Sequence, residues 1–370
     1  MREFVTGAEL IVRAALDAGC NFFAGYPITP ASGILGGMMR QLPPRGGIAI
    51  QGEDEIASIG MCLGAAAAGR KAMTATSGPG LSLYSENIGF AQMAELPLVI
   101  VAVQRMGPGT GGATTNAEGD VEFVRWAAPG GYPMVVLAPS MPMDAYTLTI
   151  EAFNRAEQLR APVFLLTCRD LVMNGETVAW DGTPQPALVE RTLAKELSEF
   201  QPYRIDQSAD VPPFAPIGGD LLTRINTSVH DARGLLVKRA AACAANLQHL
   251  ADKVSARAGS WERVAVDLDA NAATVIVAYG AAARSARAAV RLARACGEKL
   301  SLVVVHSLWP VPEVALRNAV GSHQRIVVPE HNLGQYVQEI ERLFADRSIR
   351  SVTRIDGRAL TPEQLLAEVV

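Results

Sequence analysis

The sequence predicts an α/β protein, with a doubly wound domain over residues 1–170, a connector with a long helix over 171–268, and a second, smaller α/β domain over 269–370. Three observations carry this. Strand-length apolar runs alternate with helix-period segments at both ends of the chain. The run Leu96-Pro-Leu-Val-Ile-Val-Ala-Val103 is apolar almost throughout, as a central parallel strand covered on both faces must be. Between the two alternations the character changes, with prolines at 184, 186, 202, 212, 213 and 216 among polar residues.

The elements follow in order. Met1-Arg2-Glu3-Phe4 leads directly into a helix opened by Thr6-Gly7-Ala8-Glu9, a capping box in which hydroxyl and carboxylate exchange bonds with free backbone N–H groups. A short strand runs into the turn at Gly25, and a helix opened near Asp54 carries Ile56, Ile59 and Leu63 to its end at Gly69-Arg70. Strands are expected over Ala72–Thr76, 96–103, Met134–Leu137 and Val163–Thr167, with helices over Tyr84–Ala94 and 143–158. The connector holds a helix from Leu235 to Val254. Beyond it come strand Thr274–Ala278, helix 282–295, strands Leu302–His306 and Arg325–Val328, helix 333–344 and strand Ser351–Ile355. Thr361 before Pro362 starts a last helix, with Pro at the first helical position.

Bulk properties narrow the function. In 370 residues, 49% are apolar and the net charge is −4, so a large core forms and no basic field exists to hold nucleic acid. No charged-then-apolar leader precedes the first helix and no apolar run reaches membrane-spanning length, which reads as a cytoplasmic protein. Cys20, Cys62, Cys168, Cys243 and Cys296 lie singly among apolar neighbours and read as reduced core residues; with no Cys-x-x-Cys pair, an iron–sulfur cluster is expected on a partner instead. The five histidines show no metal-ligand spacing.

Gly107-Pro-Gly-Thr-Gly-Gly112 fits Gly-x-Gly-x-x-Gly, but no apolar helix follows it and no carboxylate stands about 20 residues on, so a dinucleotide fold is disfavoured. Ala113 fills the lysine position of a P-loop. Such a loop still offers backbone N–H groups to an anion. Arg105, at the end of the apolar strand, is able to grip a carboxylate, although by itself a surface strand terminus explains it. Glu53, Asp54 and Glu55 suit a helix's first turn through its dipole, which leaves one of them for chemistry; Thr29, between two prolines, holds its hydroxyl in a fixed turn.

Taken in order, Gly25-Tyr-Pro-Ile-Thr-Pro30, Gln51-x-Glu-Asp-Glu-Ile-Ala, Ala75-Thr-Ser-Gly-Pro-Gly80 and Gln104-Arg-x-Gly-Pro-x-Thr-Gly111 resemble the α subunit of 2-oxoacid:ferredoxin oxidoreductases, closest to the 2-oxoglutarate type. Val275-Ile-Val-Ala-Tyr-Gly280, Leu308-Trp-Pro310 and Glu330-x-Asn-x-x-Gly-Gln335 are similar to that family's second domain. The resemblance implies a domain that binds the pyrimidine end of thiamine diphosphate and a second domain of the transketolase C-terminal type. It also implies a β subunit that carries the diphosphate motif, Mg²⁺ and a [4Fe–4S] cluster, with γ or δ subunits and ferredoxin as further partners. With 370 residues and the motif domain at the start, no γ domain is expected at the N-terminus.

Carried over residue by residue, the resemblance makes Glu53 the catalytic carboxylate on the pyrimidine ring nitrogen. Thr29, Arg105 and Thr110 become substrate contacts, and Pro27, Ile28, Ser77, Gly78 and Pro79 cofactor contacts, with no metal ligand on this chain. The implied reaction is oxidative decarboxylation of a 2-oxoacid with coenzyme A as co-substrate. The Pro-Thr-Lys stretch of 2-oxoglutarate types is here Gly112-Ala-Thr-Thr-Asn116. Without that lysine, an aromatic or branched-chain 2-oxoacid is the alternative substrate. A non-oxidative decarboxylase half and a catalytically silent structural subunit are the alternative roles.

Overall fold

The computed structural model describes residues 2–179, 186–195 and 200–369. Pro184 and Met1, used above, lie outside the described residues. In chain order the elements are β1 (Arg2–Thr6), α1 (Gly7–Asp17), β2 (Phe22–Gly25), α2 (Ser32–Gln41), β3 (Ile48–Gln51), α3 (Glu55–Ala67), β4 (Ala72–Thr76), α4 (Pro79–Met93), β5 (Leu98–Gln104), α5 (Val121–Arg125), β6 (Val135–Leu137), α6 (Pro142–Leu159), β7 (Pro162–Cys168), α7 (Arg169–Met173) and β8 (Gly175–Ala179). After the connector come α8 (Ala240–Ala258), β9 (Val264–Asp267), β10 (Thr274–Ala278), α9 (Ala282–Ala295), β11 (Leu300–Val305), β12 (Ser307–Trp309), α10 (Glu313–Val320), β13 (Arg325–Glu330), α11 (Val337–Leu343), β14 (Ser348–Thr353) and α12 (Pro362–Ala367).

A seven-stranded sheet, ordered β12-β6-β7-β5-β4-β2-β3, forms the first unit, and all its pairings are parallel except β12 with β6. β5 is buried at all seven positions, as its apolar run requires. The chain leaves β2 for the edge strand β3, then returns to the other side of β2 to lay down β4. The carboxyl ends of β2 and β4 therefore flank a topological switch point, where ligands bind in open α/β sheets. The second unit is a five-stranded sheet, β14-β13-β10-β11-β9, antiparallel only at β9.

Both capping boxes read from the sequence are present: Thr6 and Glu9 open α1, and Thr361 and Gln364 open α12. Several elements differ from expectation for local reasons. Residues 2–6 form a strand against β8 before the first helix begins. α8 starts at Ala240 because the Asp231 carboxylate accepts from the Arg233 and Leu235 N–H groups and Gly234 takes φ +75°, which consumes Leu235 in a turn. α11 starts late because Asn332 Oδ1 accepts from the Gly334 and Gln335 N–H groups. β9, assigned above to the connector, is an edge of the second sheet. Cys20, Cys62 and Cys168 are buried, Cys243 is half-buried, and Cys296 is exposed rather than in the core.

The units share a core. One cluster joins Tyr84, Ile88, Ile100 and Phe164 of the first to Val275, Val303, Ile326 and Tyr336 of the second. In the connector, α8 turns His249 and Lys253 inward onto the buried carboxylate of Glu95, at 3.1 and 2.8 Å. Burial alone would raise the Glu95 pKa; Lys253, His249 and Arg160 overcome it and hold the carboxyl below the ordinary range. No helix of the described residues is long and apolar enough to cross a membrane.

Candidate active site

The four motifs of the N-terminal half all fall at carboxyl ends of parallel strands. Gly25 ends β2, Gln51 ends β3, Thr76 ends β4 and Gln104 ends β5. Pairing of β2 with β3 and β4, and of β4 with β5, sets these ends side by side.

Arg105 lies at the centre and is 6% exposed. Its Nη1 donates to the Thr29 carbonyl at 2.6 Å and its Nη2 to the Thr110 carbonyl at 3.2 Å, so the three predicted substrate residues are brought together. Thr29 contributes its backbone oxygen to this contact, not the hydroxyl that the turn was expected to aim. Among the described residues the buried Arg105 Nε has no hydrogen-bond partner, and a Cβ on Gly78 would lie 3.7 Å from it. The nearest charge response is that of Asp120, whose burial raises its carboxyl to about 6 against the lowering influence of Arg105; its Oδ2 is also unpartnered. Among the described residues no hydrogen bond of this buried guanidinium ends on a carboxylate.

The second cluster lies across the switch point. Asp54 caps α3, its Oδ1 accepting from the Ala57 N–H at 2.7 Å. That register leaves Glu53 exposed in the bend before the helix and buries Glu55 in the first helical turn. The Glu55 side chain reaches α4, where a Cβ on Gly80 would lie 2.9 Å from its Oε1 and collide with Thr76 Oγ1. Thr76 and Ser77 are fully buried, and among the described residues the Ser77 hydroxyl has no hydrogen-bond partner. Among the other predicted cofactor residues, Pro27 is exposed, while Ile28, Gly78 and Pro79 are half-buried.

Sequence reading left Glu55 to the helix dipole and did not single out Thr76, Gly80 or Asp120. Only the first had a usable signal, since Asp is a favoured N-cap and fixing it at 54 puts residue 55 inside the helix. The buried Ser77 hydroxyl, at the carboxyl end of β4, and the buried carboxyl of Glu55, at the start of α3, face the packed contact between Gly80 and Thr76.

Residues 13–215 match the family described as pyruvate flavodoxin/ferredoxin oxidoreductase, thiamine diphosphate-binding, and residues 272–365 match pyruvate:ferredoxin oxidoreductase core domain II. The chain belongs to the 2-oxoacid:ferredoxin oxidoreductase family. It is 37% identical over 367 residues to 2-oxoglutarate synthase subunit KorA of Methanocaldococcus jannaschii, covering 98% of each chain. It is 33% identical to ketoisovalerate oxidoreductase subunit VorB of Methanothermobacter thermautotrophicus, covering 99% of this chain and 97% of that one. Its fold superposes with a TM-score of 0.92 and 29% identity on the 2-oxoglutarate:ferredoxin oxidoreductase from Magnetococcus marinus, solved with 2-oxoglutarate, coenzyme A and succinyl-CoA bound. That match covers all of this chain and 64% of the other.

Proposed function

We propose that this chain is the α subunit of a thiamine-diphosphate-dependent oxidoreductase that decarboxylates a 2-oxoacid, 2-oxoglutarate in the first instance, and transfers the acyl group to coenzyme A. The observation that carries the substrate reading is Arg105: buried, without a partner at Nε among the described residues, and held between Thr29 and Thr110. A substrate carboxylate supplies it with an anion and is thereby oriented toward the strand ends. The KorA relatives favour 2-oxoglutarate, and the VorB relative keeps a branched-chain 2-oxoacid as the second reading.

Bound at the switch point, thiamine diphosphate supplies the nucleophilic carbon and the electron sink for decarboxylation. Its pyrimidine end would be held by Ser77, Gly78, Pro79 and the Pro27-Ile28 turn, with a carboxylate on the ring nitrogen. The sequence assigns that carboxylate to Glu53. We place it at Glu55, because burial at the start of α3, against Thr76 and Gly80, gives a carboxylate the dry setting in which it holds a proton at a ring nitrogen. A β subunit with Mg²⁺ and an iron–sulfur cluster completes the reading, since the cysteines here are scattered singly.

Separate Glu55→Gln and Glu53→Gln variants, each assembled with the β chain, test the assignment through dye reduction driven by 2-oxoglutarate and coenzyme A. Glu55→Gln is expected to lose about 10²- to 10⁴-fold in kcat and Glu53→Gln to stay within a few-fold. The reverse pattern returns the role to Glu53. Turnover surviving in both variants removes the site from this chain.

A further inference from the structure

The segment Glu330-His-Asn-Leu-Gly-Gln335 carries polar side chains that the chemistry above does not use. Their partners lie largely in the first unit. Asn332 Nδ2 donates to the Glu118 carbonyl at 2.8 Å and to the Tyr279 hydroxyl at 2.7 Å, while its Oδ1 shapes the turn before α11. Gln335 bonds twice, its Nε2 donating to the Gly119 carbonyl at 2.7 Å and its Oε1 accepting from the Glu122 N–H at 3.0 Å. His331 Nε2 accepts from the Leu360 N–H at 3.1 Å, which puts the ring proton on Nδ1, 3.0 Å from Glu118 Oε2. The other Glu118 oxygen accepts from the Ala281 N–H at 2.8 Å, and the Glu118 N–H donates to the His331 carbonyl at 2.9 Å.

Residues 118–122, thus gripped, follow the glycine loop after the five residues 113–117. Residues Gly107 to Gly111 of that loop are exposed, and Gly109 and Gly111 have positive φ, so apolar packing does little to place it. It is tied instead at its base, where the Met106 N–H donates to Thr115 O and the Gly112 N–H to Met106 O, both at 2.9 Å. Gly357 of the second unit abuts the same base, since a Cβ there would collide with Thr115 and lie 3.0 Å from Met106 Cε. One end of the loop thus meets Arg105 through Thr110, and the other is held by the second unit.

We propose that the Glu330–Gln335 turn is a positioning device for the substrate loop. Asn332, His331 and Gln335 act through residues 118–122 to set affinity for the 2-oxoacid without touching it; this rests on Arg105 being the carboxylate anchor. Gln335→Ala, at a half-buried position, removes both of its bonds to the first unit. In the assembled complex it is expected to raise KM for the 2-oxoacid about five- to ten-fold, leaving kcat and the KM for coenzyme A within two-fold. Gln335→Glu keeps the acceptor for the Glu122 N–H and is expected to fall between.

Amide hydrogen exchange of the same complex, without substrate, is expected to quicken over residues 106–122 and to stay unchanged in β5 and β10. Unchanged exchange over 106–122 overturns the proposal, as does faster exchange spread evenly over the molecule or an unchanged KM. Should the unmodified complex turn over no 2-oxoacid, the site reading fails by itself, and exchange alone decides the brace.

Discussion

Arg105 is buried, Asp120 is half-buried and feels the charge of Arg105, and among the described residues Arg105 Nε and Asp120 Oδ2 have no hydrogen-bond partner. Asp120 holds its proton up to about pH 6 because burial penalises its charge more than Arg105 favours it. An acid whose pKa is raised on folding binds its proton more tightly in the folded state, so its contribution to stability declines as pH rises from about 4 to about 6. Substrate binding has the same sign. Below pH 6 a neutral Asp120 leaves the guanidinium's charge to the 2-oxoacid, and above it the carboxylate competes. KM for the 2-oxoacid is therefore expected to rise about three- to ten-fold between pH 5.5 and 7.5, and to stay flat in Asp120→Asn. A rise of the same size in the Asn variant would show that another group titrates. None of this was legible in the sequence, because the partners of residue 105 are set by strand ends up to 76 positions away. The grouping of Thr29, Arg105 and Thr110 was legible, and the proposed move of the carboxylate role from Glu53 to Glu55 rests on a one-residue capping register.

Among the elements, those with strong local signals matched the sequence and those built on nonlocal contacts did not. β5, β10 and the caps of α1 and α12 carry their own instructions in apolar runs and Thr-x-x-Glu or Thr-x-x-Gln patterns. α2 does not, and no element was expected over its Ser-Gly start and Gly36-Gly37 pair. Gly37 is there because a Cβ would lie 2.7 Å from Val12 Cγ2 of α1, a packing demand that only the fold reveals. α8 is amphipathic in an unusual way, with Lys253 and His249 on its buried side for Glu95. Lys253→Ala is expected to cost about 3–5 kcal/mol in urea denaturation, because it leaves Glu95 short of its main counter-charge in a buried site. Since the Glu95 carboxyl is held below the ordinary range, the stabilisation is present at neutral pH and is lost as acid protonates it. A loss below about 1 kcal/mol would place the pair among those that water screens.

For the whole molecule, the boundary between the units is crossed in both directions. β12 leaves the second sheet and pairs with β6 of the first through Ser307–Leu137 and Trp309–Val136. Trp309 Nε1 donates to the Val121 carbonyl at 3.2 Å, and the Arg125 guanidinium lies 4.2 Å above the same indole. With a common core beneath, calorimetry is expected to show one melting transition for the chain. Two resolved transitions would mean that the units fold independently.

The lent strand also bears on how such a protein can be taken apart. A second unit excised as a module would carry away the edge of its neighbour's sheet, exposing β6 as a bare edge ready to pair with other chains. Grafting either unit elsewhere therefore has to carry residues from β1 to α12 together, because the sheet edge and the core belong to both.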